Sequence, residues 1–548
     1  MSDRNRNTLI SAPRRWFALI GVDFYMPGKS RRDENGAPIF FPSLRGCVYD
    51  VTKVHRYIKS QFAANSQITT LTSTQPKDGA CKPIEEDEAC WPTYKNIVGL
   101  LEEITGKAHK GDLVYIHYSG HGARVKTQLR DNKEELHKAI VPLDIACGGK
   151  YLFDFEITSL LDKMVKMGLT VTVVLDCCHS GSAGRGLSDF RGISQIDATE
   201  SAQINAGESD VHRETATPVP QDPPNPTEFH EPNAGRGRTA NPWNPQGYEL
   251  LAACRVNEKA YERCYENGLW HGVLTYNLLD SLETGDANLT HGMLHRRLVA
   301  RVNECSNNQT PVFMGDSQRY FFSSERLDHQ YIPTITVKRL DKGYLILDVG
   351  AAQGVLVGSE LAIYPWDTSD FSDSNRCSTV RATDVYPLEA KAELMGQPAE
   401  NRQIEAGFQA IPIKTLVRGL AVRFLRHLNG TEENKFNQLE KAIESGNKQC
   451  RLAPFVNVVS GLEESVDYHI GVRNYQYKLL NTANNPIGHF PSSTDPEPFL
   501  RNIWHLARFE MCRNLKNLNV PEYLNKFSFT LEADELGNNF TLDFNLLY

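Results

Sequence analysis

Two short motifs combine a histidine and a cysteine with small, turn-forming residues. His121 lies between two glycines, and the pair Cys177 and Cys178 precedes a His-Ser-Gly turn. A thiol reacts as its thiolate, so an imidazole that accepts its proton makes it a nucleophile near neutral pH. The backbone N–H groups of Gly122 and of the cysteine could then bind the oxyanion of a tetrahedral intermediate. The two motifs together predict acyl transfer by a Cys/His dyad.

The adjacent cysteines leave the identity of the nucleophile open. Neighbouring residues of an extended segment project to opposite sides, so only one of Cys177 and Cys178 can face His121. Strand periodicity does not choose between them. Two other functions also stay open: a catalytically silent interaction scaffold, and an oxidation-sensing thiol at the cysteine pair.

The pattern of apolar residues predicts the elements that must position these motifs. Short apolar runs ended by turn residues or a charge predict buried strands, and apolar residues at three- and four-residue steps predict helices. Their alternation is typical of an α/β fold with a mainly parallel sheet. Both motifs follow strands, at the carboxyl edge where the functional groups of such sheets collect. The predicted strands are 16–22, 113–118 and 170–175, and the predicted helices are 44–62, 92–105 and 156–167.

Composition changes along the chain predict its domain organisation. Eight prolines between Pro218 and Pro245 and a scarcity of large apolar residues predict a solvated linker. After the linker the α/β pattern resumes, and it then gives way to alternating runs separated by glycine-containing turns. We predict an N-terminal tail over 1–15, an α/β domain over 16–325 with the linker at 192–247, and a β-rich domain of unknown role over 331–548 that has at least one packed helix.

Charge and hydropathy exclude several classes of partner. The 548 residues carry a net charge of −8 with a sequence pI of about 6.1, so the chain lacks the excess of positive charge that is typical of nucleic-acid-binding proteins. No apolar stretch approaches the roughly 20 residues that a membrane-spanning helix needs, and no secretory signal is evident. Twelve cysteines without regular spacing are typical of free thiols in a reducing compartment. We expect a cytoplasmic protein without nucleic-acid or membrane partners, and the oligomeric state stays open.

The motif pair resembles that of the caspase and metacaspase family of cysteine peptidases. YSGHG ends at Gly122 and DCCHSG begins at Asp176, with 57 residues (178 minus 121) between the histidine and the second cysteine. The chain is most similar to the metacaspase-like proteins common in fungi. In this family the nucleophile directly precedes HSG, so the resemblance implies Cys178 as nucleophile and His121 as general acid and base. It also implies a caspase-like α/β/α sandwich.

The resemblance further implies a pocket for a basic side chain of a protein or peptide substrate. In metacaspases, residues matching Cys47, Asp50, Ser119 and Asp176 line the pocket that accepts Arg or Lys. All four residue types are present here. We therefore expect cleavage after Arg or Lys, and the alternative specificity is cleavage after Asp, as in caspases.

Residues 134–138 depart from the family pattern, and the linker is a candidate for self-cleavage. Many metacaspases carry an acidic segment that is linked to calcium binding, but here residues 134–138 read Glu-Glu-Leu-His-Lys. We expect no metal and no other cofactor. The exposed linker contains Arg213, Arg236 and Arg238, which makes it a candidate for self-processing of a zymogen.

Overall fold

The fold is taken from a computed structural model of the 548-residue chain. The structure describes residues 13–62, 64–76, 81–82, 85–128, 134–178, 190–198, 247–265, 268–327, 334–396, 403–414, 420–426, 430–449, 456–460, 466–488, 490–513, 527–533 and 540–546. The predicted self-cleavage sites Arg213, Arg236 and Arg238 lie outside these residues.

The N-terminal part of the chain alternates strands and helices. In chain order its elements are β1 (Arg15–Val22), α1 (Cys47–Gln61), β2 (Ser66–Ser73), α2 (Tyr94–Lys107), β3 (Leu113–Ser119), β4 (Gly122–Gln128), β5 (Glu134–Ile140), β6 (Leu152–Phe153), α3 (Asp154–Lys166), β7 (Thr170–Asp176), β8 (Gly192–Asp197), β9 (Glu249–Ala252), β10 (Glu262–Cys264), β11 (Trp270–Gly272), α4 (Val273–Thr284), α5 (His291–Cys305) and β12 (Val312–Met314).

Six of these strands form the central sheet, in the order β12-β9-β7-β3-β1-β2. All neighbours pair in parallel except β12, which runs antiparallel to β9 at one edge. The predicted α/β class with a mainly parallel sheet is confirmed. Strands β3 and β7 are adjacent, so their carboxyl ends lie side by side.

Helices cover both faces of the sheet, as the alternation of side chains along β1 makes clear. Trp16, Ala18 and Ile20 point into a core shared with the apolar residues of α2 and α3. Gly21 points to the opposite face. A Cβ on Gly21 would lie 2.7 Å from Val51 Cγ2 in α1, so α1 packs closely against the sheet at this point.

A second, four-stranded sheet has the order β6-β5-β4-β8. It corrects the predicted start of the linker at Gly192, because Gly192–Asp197 is a strand that pairs in parallel with β4. Ile193 is buried, and the backbone groups of this segment are paired in the sheet. The prolines that indicated a linker lie only between 218 and 245, so the composition gave no reason to extend the linker back to Gly192.

The C-terminal part is β-rich, as predicted, and its described residues include two helices. A closed barrel has the strand order β13-β14-β17-β16-β15-β18, and a four-stranded sheet has the order β20-β19-β21-β22. The elements are β13 (Ile335–Asp341), β14 (Tyr344–Leu347), β15 (Glu360–Tyr364), β16 (Ser378–Val385), β17 (Ala390–Leu394), β18 (Gln409–Lys414), β19 (Leu420–Phe424), α6 (Gly430–Gln449), β20 (Val456–Val458), β21 (Tyr468–Arg473), β22 (Gln476–Leu480), α7 (Pro496–Arg513), β23 (Phe527–Ala533) and β24 (Phe540–Leu546).

Not all of this part consists of the hairpins that the pattern predicted. Strand β19 pairs in parallel with both β20 and β21, and α6 connects β19 to β20. A parallel pair needs such a crossover. Both α6 and α7 contribute apolar side chains to the core over this sheet, including Phe436, Leu439, Phe499 and Ile503.

The chain divides into two compact units. The first comprises Met1–Arg339, Tyr364–Asn375 and Gln403–Gln409, and the second comprises Leu340–Ile363, Arg376–Arg402 and Ala410–Tyr548. The division thus assigns two short segments from beyond residue 331 to the first unit. The site described below lies entirely in the first unit.

The close packing of α1 on β1 gives a testable prediction about stability. We expect Gly21→Ala to destabilise the fold by about 1–3 kcal/mol, because the added methyl must displace Val51 or the Cys47 carbonyl. Gly99→Ala in α2 is the matched control, because Gly99 is exposed and its Cβ would meet nothing within 4 Å. The control should gain about 0.5–1 kcal/mol from helix propensity. Thermal unfolding of both variants measures this, and an equal shift in Tm would contradict the packing argument.

Candidate active site

The predicted catalytic residues follow two adjacent strand ends. Ser119 at the end of β3 is paired with Asp176 at the end of β7. His121 and Cys178 each lie two residues beyond this pair, and both are fully buried. The parallel register therefore brings the histidine motif and the cysteine motif to the same edge of the sheet.

The hydrogen bonds of His121 determine which ring nitrogen can act as a base. Nε2 lies 2.8 Å from the carbonyl oxygen of Pro42, and a carbonyl can only accept, so Nε2 carries a proton. In the neutral ring Nδ1 is then the basic atom, and it is buried without a hydrogen-bond partner within the described part of the chain. Burial lowers the pKa of His121 to about 4, so the ring is neutral at pH 7. The Tyr25 hydroxyl accepts from the His121 backbone N–H at 2.7 Å and holds the turn.

The two cysteines have different surroundings. The Cys177 side chain belongs to the apolar core of the central sheet, and burial raises the pKa of its thiol well above the usual value. Cys178 faces the other way, towards Gly192, where a Cβ would lie 2.4 Å from Cys178 Sγ. The structure thus places Cys178 rather than Cys177 on the side of the segment that begins β8.

Two backbone N–H groups converge on a single carbonyl oxygen. The oxygen of Arg191 accepts from Cys178 N at 2.8 Å and from Gly122 N at 3.2 Å. Donors at such distances from one oxygen are the arrangement that stabilises an oxyanion. The predicted donors, Gly122 and the cysteine itself, therefore meet at one point beside the thiol.

The side chain of Arg191 is fully buried among three carboxylates. Its Nη2 lies 2.7 Å from Asp50 Oδ2 and 3.7 Å from Glu262 Oε2, and its Nη1 lies 3.1 Å from Asp176 Oδ2. Asp50 and Asp176 have no exposed surface, and Glu262 is 2% exposed. Buried charges persist only when they are paired, and here Arg191 is the cation that pairs with the three carboxylates.

Other groups hold each carboxylate in place. Asp50 accepts from Gly272 N at 3.0 Å and contacts His271 Nδ1 at 2.8 Å. Asp176 accepts from the N–H and the hydroxyl of Thr275 at 3.0 and 2.6 Å. These bonds orient the two predicted carboxylates toward the same point.

Glu262 completes the set and accepts from the backbone N–H groups of Arg45 and Gly46 at 3.1 and 3.2 Å. Burial raises the pKa values of both Asp176 and Glu262, and the positive charge of Arg191 opposes that rise.

The remaining predicted pocket residues line the same region. Cys47 begins α1 one turn before Asp50, and its N–H donates to Asp23 Oδ1 at 2.7 Å. Burial raises the pKa of its thiol well above the usual value. Ser119 Oγ lies 3.3 Å from Nε2 of His117, which is itself a buried and hydrogen-bonded histidine.

Sequence reasoning missed Arg191, Glu262, His271, Pro42 and Tyr25. Glu262 and His271 belong to a short two-stranded ribbon, β10 and β11, whose sequence has no distinctive pattern. Arg191 was overlooked because the linker was expected to begin next to it. A missed signal did exist for Asp23, a carboxylate at the carboxyl end of β1, which accepts from two N–H groups of α1.

The described residues hold neither a group of side chains suited to a metal ion nor a membrane-spanning helix. No cluster of three or more His, Cys, Asp or Glu side chains suited to a metal ion occurs among them. The segment that departs from the calcium pattern is β5, in which His137 Nδ1 lies 3.7 Å from Asp154 Oδ1. Within the same described residues, no helix is long and apolar enough to cross a bilayer.

Comparison with known proteins gives consistent matches over the first third of the chain. The family model described as metacaspase, peptidase C14 domain matches residues 19–185. Metacaspase-1 of Mycosarcoma maydis is 27% identical over 165 residues, which are 30% of this chain and 35% of that protein. Metacaspase-7 of Arabidopsis thaliana is 33% identical over 165 residues, which are 30% of this chain and 34% of that protein. The chain thus spans about a third of the length of these curated relatives.

A solved protein from Geobacter sulfurreducens aligns with 57% of this chain and 99% of its own length. Its sequence identity is 17% and the TM-score is 0.36, which is too low to support an argument.

The family match includes both motifs and the predicted pocket residues, but it ends before Arg191 and Glu262. The fungal and plant relatives agree with the resemblance that the motifs suggested. Over residues 19–185, the chain is therefore similar to the metacaspase peptidase C14 domain of cysteine peptidases.

Proposed function

We propose that this chain is a cysteine endopeptidase that cleaves proteins or peptides after Arg or Lys, with Cys178 and His121 as its catalytic dyad. The observation that carries the proposal is the buried Arg191, whose side chain lies among three carboxylates while its carbonyl accepts two N–H groups beside Cys178. One residue thus occupies a cation pocket and an oxyanion site at the same time.

The proposed reaction uses the Cys178 thiol, the His121 ring and the two backbone N–H groups that follow the strand ends. Cys178 Sγ gives its proton to Nδ1 of His121 and attacks the carbonyl carbon of the substrate residue in the pocket. The N–H groups of Gly122 and Cys178 hold the resulting oxyanion. His121 then protonates the leaving amine, and water hydrolyses the thioester to regenerate the thiol. Throughout, the bond from Nε2–H to Pro42 keeps the ring in the tautomer that presents Nδ1.

Charge supports basic specificity over the alternative cleavage after Asp. An aspartate in this pocket would add a fourth buried negative charge beside Asp50, Asp176 and Glu262, at a high cost in desolvation and repulsion. Arginine fits better than lysine, since its planar guanidinium can reach several carboxylates at once while an ammonium group is a point charge.

Because the site is closed, a catalytically silent scaffold is the alternative to a peptidase. His121 and Cys178 are both fully buried, and residues of the same chain fill the site. A catalytically silent scaffold is therefore the second candidate, and the absence of any peptide turnover would favour it. We propose a reaction without a metal cofactor and a cytoplasmic location.

The nucleophile assignment is tested by paired cysteine variants. The substrates are fluorogenic peptides that end in Arg, Lys or Asp, each measured with and without calcium. We expect hydrolysis after Arg, slower hydrolysis after Lys and no hydrolysis after Asp. Cys178→Ala should lower kcat/KM at least about 10³-fold, because the nucleophile is lost. Cys177→Ala is the matched control and should keep activity within about tenfold, because its side chain lies in the core. A larger loss in Cys177→Ala than in Cys178→Ala would reverse the assignment.

The pocket and the base should respond differently to acid. Because burial raises the pKa values of Asp176 and Glu262, these groups take up protons earlier than exposed carboxylates as the pH falls, and the pocket loses negative charge. His121 stays neutral until its pKa of about 4. We therefore expect KM for an Arg peptide to rise before kcat falls. Glu262→Gln should raise KM and flatten its pH dependence, whereas a kcat that falls near pH 6.5 at constant KM would contradict this view of the site.

A further inference from the structure

A chain of hydrogen bonds runs from the middle of β3 to Asp176, one of the three carboxylates around Arg191. Tyr115 and His117 lie on one face of β3, because alternate residues of a strand point the same way. The Tyr115 hydroxyl lies 3.0 Å from His117 Nδ1, and His117 Nε2 lies 3.2 Å from Thr275 Oγ1. Thr275, in the first turn of α4, donates its hydroxyl proton to Asp176 Oδ2 at 2.6 Å. All four side chains of this chain are buried.

The donors and acceptors give the chain one direction. Because the single hydroxyl proton of Thr275 goes to the Asp176 carboxylate, Thr275 Oγ1 accepts from His117 Nε2–H. Nδ1 is then the acceptor of the neutral ring, and the Tyr115 hydroxyl donates to it. Burial lowers the pKa of His117 to about 4 and raises the pKa of Tyr115, so both side chains are neutral at pH 7. Three successive hydrogen bonds therefore point toward Asp176, and each polarises the next.

The position of Asp176 depends on one of its two oxygens. Oδ2 accepts from the N–H and the hydroxyl of Thr275 at 3.0 and 2.6 Å, and it lies 3.1 Å from Arg191 Nη1. Oδ1 has no hydrogen-bond partner in the part of the chain that the structure describes. Burial raises the pKa of Asp176, and both donors of Thr275 oppose that rise. Loss of the hydroxyl would therefore weaken the hold on the carboxylate and favour its protonated form.

His117 also contacts a second residue that the resemblance placed in the pocket. Ser119 Oγ lies 3.3 Å from Nε2, so one N–H of the ring lies between two hydroxyl groups. Without the ring, both hydroxyl groups would lose this donor, and a buried polar group that lacks its partner costs free energy or reorients. The histidine therefore acts on Ser119 directly and on Asp176 through Thr275.

We propose that His117 is a positioning residue of the cation pocket, which acts through Thr275 on Asp176 and so strengthens the preference of the site for an Arg or Lys side chain. The inference rests on the proposed function and adds residues outside the pocket that determine its specificity. Arg191 provides the relevant contact, because its guanidinium meets Asp176 at the oxygen to which Thr275 donates. The guanidinium of a substrate would meet the same oxygen.

The experiment must separate a positioning role from support of the fold. It measures hydrolysis by the full-length chain of a fluorogenic Arg peptide and of the same peptide ending in citrulline, whose uncharged urea group has nearly the shape of a guanidinium. A loss of folded enzyme lowers the apparent kcat/KM of both peptides equally, and a change in the hold on Arg191 also affects both equally. The ratio of the two kcat/KM values therefore reports the preference of the pocket for a cation.

Substitutions at Thr275 and His117 remove successive links of the chain. Thr275→Val keeps a similar shape and the N–H donor, and we expect the Arg-to-citrulline ratio to fall about tenfold, because Asp176 loses a hydrogen bond to its ionised form. Thr275→Ser retains the hydroxyl and should keep the ratio within about twofold of wild type. His117→Phe removes both ring nitrogens and should lower the ratio about fivefold or more. An unchanged ratio in Thr275→Val or in His117→Phe would overturn the proposal.

His291→Phe is the matched control for the histidine substitution. His291 is 3% exposed, close to the value for His117, but its ring packs against Phe313 and Phe321. This variant should keep the wild-type ratio. If the ratio fell as far as in His117→Phe, the effect would belong to buried histidines in general and the positioning role would be wrong.

The coupling between His117 and Thr275 gives a second readout. Because the histidine acts through the threonine, the double variant His117→Phe/Thr275→Val should lie within about threefold of the more impaired single variant. Effects that multiply to roughly 50-fold or more would show two independent contributions and contradict a single chain.

The same measurements separate this inference from the proposed function. If wild type prefers Arg to citrulline and Thr275→Val keeps that preference, the positioning role is wrong and the peptidase function stands. If no form hydrolyses peptides, or if wild type does not prefer Arg to citrulline, both proposals fail.

Discussion

The buried ion cluster around Arg191 is the interaction on which the rest of the site depends. It joins the first turn of α1 through Asp50, the end of β7 through Asp176 and the ribbon strand β10 through Glu262. These elements are far apart in the chain and meet around this cation. Removing one partner of a buried ion cluster leaves an uncompensated charge and commonly costs about 3–5 kcal/mol. The cluster therefore fixes the ribbon, the helix and the sheet edge relative to one another.

The same cluster also positions a backbone carbonyl close to Cys178. A cation pocket with three fully desolvated carboxylates is costly when empty, and Arg191 supplies the missing charge from within the chain. Arg191 neutralises the carboxylates with its side chain, and its carbonyl accepts from Gly122 N and Cys178 N. The same residue therefore provides both the charge and the position of its peptide bond. Charge neutralisation in the cluster and the position of the Arg191 carbonyl thus have a common physical origin.

Much of the site could be predicted because its residues directly follow segments with strong local sequence patterns. β3 and β7 are short apolar runs with a motif directly after each, and parallel pairing of such strands brings their ends together. The choice between Cys177 and Cys178 could not be made from periodicity, since both follow the strand. In the structure the two thiols differ in packing, because Cys177 enters the apolar core and Cys178 faces Gly192. The C-terminal elements were less predictable, because a polar helix such as α6 becomes evident only through the parallel strands that it connects.

The sequence by itself determined the α/β class and the two strand-end motifs, because these depend on periodicity and on residues close together in the chain, whereas the four pocket residues followed only from the family resemblance. Only the tertiary structure decided that Glu262 joins Asp50 and Asp176, that Pro42 sets the tautomer of His121, and that Arg191 occupies the pocket. These contacts join residues separated by 71 to 141 positions or lie beside a segment with linker-like composition. No local pattern records them, because the free energy that selects them comes from burying charges together rather than from the propensity of any one segment.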